Sequence, residues 1–152
     1  MPFFNILVPV SGNPSDEEAI RLAVQIARQD KSKVFAIHVI EVQRNLPLEA
    51  ENVDQVERGE AMLEHIEQIA KSAKGSVESE LLQARVAGSA LVNEAAERGI
   101  DLIIMGVPYH NPLGELQLGS TTNYVLKNAP CRVWLCRELP REDSPTLKDK
   151  KI

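Results

Sequence analysis

The stretch Leu102-Ile103-Ile104-Met105-Gly106-Val107 is an apolar run held between Asp101 and Pro108. A strand with one wet face would alternate apolar and polar residues, so a run this short and uniform reads as a strand covered on both faces. The same signal recurs upstream in Phe4 to Val10 (FNILVPV) and Lys33 to Val42 (KVFAIHVIEV), and downstream in Cys131 to Arg137 (CRVWLCR). Val77 to Ala84 (VESELLQA) alternates only weakly and reads as a more exposed edge strand.

Helical patterns separate these five runs. Ser15 and Glu18 have capping-box spacing, and Ala19, Leu22, Ala23, Ile26 and Ala27 then recur at helical intervals as far as Asp30. After a loop containing Pro47, the residues Val53, Val56, Met62, Leu63, Ile66 and Ile69 predict a long amphipathic helix that Lys74-Gly75 ends. Its charges Glu57, Arg58, Glu60, Glu64, Glu67 and Lys71 predict a solvated face. A third helix opens at Gly88 and Ser89 and stops at Gly99, and a short fourth spans Ser120 to Asn128.

Strands alternating with helices call for right-handed crossovers and a parallel sheet sandwiched between helices, an α/β fold with one doubly wound open sheet. Ligands of such sheets bind beyond the carboxyl ends of the strands, so the loops after Val10 and Val107 should face one crevice. The domain is expected to fill residues 1–138, followed by a mobile, charged tail over 139–152.

Composition narrows the function classes. A formal charge of −5 over 152 residues lacks the clustered Lys and Arg that neutralise phosphates, which excludes a broad nucleic-acid surface. No apolar run approaches the roughly 18 residues of a membrane span. Phe3-Phe4-Asn5-Ile6 enters a strand-like segment where a signal peptide would carry charge, so a cytoplasmic chain is expected. Cys131 and Cys136 lie five positions apart in one strand, on opposite faces, and read as reduced residues. His38 and His65 lie on different elements without a Cys or His at ligand spacing, so no metal is expected.

The chemistry concentrates after the fourth strand. Gly119-Ser120-Thr121-Thr122 opens a helix, where unpaired N–H groups and the helix dipole suit an anion. By itself this is equally a turn glycine followed by an N-cap serine. His110, in the same loop, is a candidate phosphate contact or a solvated residue. Ser11-Gly12-Asn13-Pro14-Ser15-Asp16 partly resembles the pyrophosphate loop of ATP pyrophosphatases, with Asn13 replacing a glycine and the Asp-Ser order reversed.

Taken together, Ile6 to Val10, His38-Val39-Ile40, Asp101 to Gly106 and Tyr124 to Cys131 resemble the universal stress protein family over nearly the whole domain. The resemblance implies a Rossmann-like sheet of the adenine nucleotide alpha hydrolase-like type with order 3-2-1-4-5. It also implies no catalytic residue, and an ATP site whose phosphates lie on Gly-x2-Gly-x9-Gly-Ser/Thr. Carried over by position, the site comprises Pro9, Val10, Ser11, Val39, Gly106, Tyr109, Gly119, Ser120, Thr121 and Thr122. Three positions depart. Tyr109 stands at the second glycine and Pro108 where an Arg often precedes it, while Ser11 replaces the acidic residue that helps to hold the nucleotide.

The family's last strand often pairs across a homodimer, which here would use Val133, Trp134 and Leu135. The expected function is therefore a non-enzymatic stress-response or signalling module with a degenerate ATP site. The alternative is a nucleotide-independent interaction domain regulating a partner such as a membrane transporter, and an ATP pyrophosphatase-like enzyme comes third.

Overall fold

All five apolar runs form strands, and the segments between them form four helices, in a computed structural model that describes residues 3–48, 52–109 and 118–140. The order is β1 (Asn5–Pro9), α1 (Ser15–Asp30), β2 (Lys33–Glu41), α2 (Val53–Ser72), β3 (Glu78–Ala84), α3 (Ala87–Glu97), β4 (Leu102–Val107), α4 (Ser120–Asn128) and β5 (Arg132–Arg137). The strands make one parallel sheet in the order β3-β2-β1-β4-β5. The chain therefore reverses direction of travel between β1 and β4, and a crevice opens there. The tail expected from residue 139 lies mostly at 141–152, outside the described residues.

Strand pleating sorts the core into two layers. Ile6, Val8, Val34, Ala36, Leu102 and Ile104 point to one face and pack with Ala19, Ile20 and Ala23 of α1 and Leu63, Ile66 and Ala70 of α2. Leu7, Phe35, Ile37, Ile103 and Met105 point to the other, against Leu91 and Ala95 of α3 and Val125 of α4. β4 carries four consecutive buried residues, Leu102 to Met105, because both of its faces are covered. Each such side chain contributes about 1.5–3 kcal/mol by leaving water. Cys136 joins the first layer and Cys131 the second, so the two thiols lie on opposite sides of the sheet and are both free. Among the described residues no helix is long and apolar enough to cross a membrane.

Two helix ends differ from the sequence reading. Ser15 does not cap α1: Pro14 is already in the right-handed helical region, and Ser15 is buried with its hydroxyl on the Asn13 side chain at 3.3 Å. Glu18, the expected partner of the capping box, instead reaches the Leu139 N–H at 3.4 Å. At the end of α2 the left-handed residue is Lys74, with φ 64°, and not Gly75. Gly75 serves packing, because a Cβ there would lie 2.3 Å from Cγ1 of Val24.

Candidate functional site

A cavity of about 560 Å³ opens beyond the carboxyl ends of β1, β2 and β4. Its floor is Pro9, Val10 and Ser11 from β1 and its loop, with Val39 from β2 and Gly106 from β4. Thr121 and Thr122 enter from the first turn of α4. Seven of the ten residues expected in the site thus line one cavity.

The loop after β1 is organised by Asp16, which the sequence reading did not single out. Its carboxylate accepts the backbone N–H of Ser11 at 3.0 Å and of Gly12 at 2.8 Å, together with the Ser11 hydroxyl at 3.2 Å. Gly12 has φ +92°, a conformation that L side chains rarely adopt. Asp16 is 3% exposed, and burial raises its pKa against the opposing pull of the Gly12 and Ser11 hydrogen bonds. The N–H groups that a pyrophosphate loop would turn toward its ligand are therefore held by the protein's own carboxylate. The similarity to ATP pyrophosphatases does not extend to the geometry of this loop.

Three expected site residues lie outside the cavity lining. Tyr109 turns toward β5: its N–H donates to Glu138 Oε1 at 2.8 Å, and the Arg137 guanidinium lies 5.2 Å from the ring centroid. A cation over an aromatic face is an attractive contact, so the ring does not occupy the cavity. Gly119 and Ser120 are exposed at the start of α4. Among the described residues, a Cβ on Gly119 would meet nothing within 4 Å. His110 and most of the loop, residues 110–117, are outside the described residues.

Gly106 does line the cavity, but the reason for its missing side chain differs from the one the motif suggests. A Cβ there would lie 2.3 Å from the Ser15 carbonyl oxygen, so glycine is required by the first turn of α1, independently of any ligand.

The opposite wall comes from residues that sequence reasoning missed: Glu41 at the end of β2, and Gln55, Arg58 and Met62 along α2. Glu41 accepts the Ala87 N–H at 2.8 Å and so supplies the acceptor at the start of α3 that Val86 has no side chain to provide. His38 places Nδ1 2.7 Å from the Val10 carbonyl; the carbonyl can only accept, so Nδ1 carries the proton. The helical pattern places Arg58 on a solvated face. It is exposed but overhangs the cavity, because Gly59 beside it lets α2 settle onto β2 and β3: a Cβ at 59 would lie 2.7 Å from Leu81 Cδ1 and 3.0 Å from His38 Cδ2. A glycine inside an otherwise strong helix was the available signal.

The three expected interface residues lie on β5, an outer strand of the sheet. Val133 is half-buried against the second core layer, while Trp134 and Leu135 are 36% and 40% exposed. Trp134 meets Phe3 edge-on, with centroids 5.7 Å apart.

The profile of the universal stress protein family matches residues 2–137. A universal stress protein of Methanocaldococcus jannaschii is 29% identical over 143 residues, 90% of this chain and 84% of that protein. Among solved structures, a universal stress protein from Archaeoglobus fulgidus superposes with TM-score 0.76 at 21% identity, covering 87% of this chain and 97% of the other. A universal stress protein of the same organism, solved in complex with dAMP, gives TM-score 0.71 at 18% identity, with 89% and 98% coverage.

Proposed function

Because the chain belongs to the universal stress protein family, we propose that it is a non-enzymatic, cytoplasmic stress-response module whose cleft binds an adenine nucleotide. The observation that carries this reading is the convergence of Ser11, Val39, Gly106, Thr121 and Thr122, from four separate elements, on one cavity at the switch point of the sheet. The A. fulgidus relative with dAMP supports an adenine nucleotide as the ligand class.

Position by position, the β2 edge at Val39 suits the base and the β1 loop the sugar. The N-terminus of α4 offers N–H groups and its dipole to phosphate through Thr121 and Thr122. Gly119 and Ser120 lie at the same helix start. With Tyr109 turned toward Arg137, the ring leaves the cavity mouth to the ligand. Asp16 fixes the β1 loop from within, holding the Ser11 hydroxyl and N–H, so that Ser11 is presented in place at the sugar side of the cleft.

Calorimetric titration of the nucleotide-stripped protein with AMP and with Mg-ATP tests the proposal. Binding near 10 μM, about −7 kcal/mol, with no phosphate or pyrophosphate released on incubation, is the expected result. Silence up to about 1 mM would replace this reading with that of a nucleotide-independent module regulating a partner such as a transporter. The exposed Trp134 and Leu135 on an outer strand favour a second copy of the chain as the partner at β5.

A further inference from the structure

We infer that Arg58 of α2 is the cation that recognises a ligand phosphate in this cleft; the inference rests on the nucleotide reading above. Among the described residues, the ionisable side chains lining the cavity are Asp16, His38, Glu41 and Arg58. Three are committed to backbone groups: Asp16 to the N–H groups of Ser11 and Gly12, His38 to the Val10 carbonyl, and Glu41 to the N–H of Ala87. Arg58 has no hydrogen bond or ion pair among the described residues. Among the described residues it is therefore the one charged group of the lining whose donors are open to a ligand.

Its position is built and not incidental. Gly59 allows α2 to press against Leu81 and His38, and this close approach carries Arg58 and Met62, four residues apart on one face, over the cavity. The loop after β4, in contrast, carries Pro108, which has neither charge nor N–H, and Tyr109, whose ring is engaged with Arg137. α2 packs on one face of the sheet and α4 on the other. A phosphate between them meets the guanidinium from one side and the N-terminus of α4, at Thr121 and Thr122, from the other. The cation that the glycine loop lacks is thus provided from a different element.

The test compares wild type with Arg58→Gln and Arg58→Lys, titrated with adenosine, AMP, Mg-ATP and inorganic tripolyphosphate at low and high salt. Arg58→Gln should weaken AMP, Mg-ATP and tripolyphosphate about three- to tenfold and flatten their salt dependence, while adenosine is unchanged. Arg58→Lys should recover part of the loss. Equal weakening of adenosine, or unchanged phosphate affinities, overturns the inference. Wild type that takes tripolyphosphate but not adenosine would sink the nucleotide reading and leave the role of Arg58 standing. Wild type that binds none of the four overturns both.

Discussion

The carbonyl oxygen of Ser15 occupies the place that a side chain on Gly106 would need, 2.3 Å from an ideal Cβ. Both partners are backbone and both are embedded, one in the first turn of α1 and the other in β4, so neither can swing aside. Gly106→Ala should therefore destabilise the fold by about 2 kcal/mol or more, read as a lower urea midpoint. The loss is expected without any ligand present. An unchanged midpoint would mean that α1 moves off the sheet at little cost.

Asp16 gives a pH signature. Its folded pKa is raised above 3.8, chiefly by burial, so the native state holds the proton more tightly than the unfolded chain does. Its contribution is fully present below pH 3.8 and is lost as pH rises through the folded value. Glu94 shifts in the same direction, through burial and then Glu97, so the diagnostic quantity is the difference between wild type and Asp16→Asn. That difference should change across the weakly acidic range, with the Asn variant gaining relative stability as pH rises. Asp16→Ala should show the same pH trend with an added cost of about 1–3 kcal/mol relative to the Asn variant, since it also strips the Ser11 and Gly12 N–H groups of their acceptor. A pH-independent difference between wild type and the Asn variant would refute the assignment.

Gly119 and Ser120 separate ligand effects from folding effects. Among the described residues no atom lies within 4 Å of a Cβ at Gly119, and the backbone there has φ −66°, open to any L residue. Gly119→Ala and Ser120→Ala should leave thermal stability within about 0.5 kcal/mol of wild type. Any loss of Mg-ATP affinity in these variants then reports phosphate contact at the start of α4. Unaltered affinity in both would remove these two positions from the site.

The proposed dimer makes a hydrodynamic prediction. Trp134 is partly exposed on the outer strand β5, so a charge there is tolerated by the monomer and costly between two copies. Sedimentation equilibrium should give a dimer for wild type and a monomer for Trp134→Glu. A monomeric wild type, or a variant that stays dimeric, excludes pairing through this strand.

The legible parts of the chain were those decided locally. β4 and α4 begin and end where the apolar run and the Gly-Ser boundary place them, because each is punctuated by its own neighbours in sequence. The strand order was carried by the family resemblance and agrees with the sheet. Ser15 and Glu18 had capping-box spacing, yet Ser15 is drawn inside α1 by its contact with Gly106, a partner 91 residues away that no local pattern encodes. The role of Asp16 was hidden for a similar reason: the folded loop turns an ordinary first-turn acid into the acceptor for three donors. The contacts of Tyr109 were not legible because its partners, Arg137 and Glu138, lie on and just beyond a strand distant in sequence.

The absent side chains at Gly59 and Gly106 also bear on how the cleft could be re-engineered. One lets the roof of the cleft descend onto Leu81 and the other lets the N-terminus of α1 rest on β4, so two hydrogens standing in place of methyl groups gauge the height of the opening. Neither position needs to touch a ligand to govern which ligands fit. Enlarging residue 59 beyond what the Leu81 side chain can yield would act as a wedge under α2, widening the gap and withdrawing Arg58 in a single displacement. Ligand size and ligand charge would then vary together, and a wider mouth would come with a weaker hold on anions.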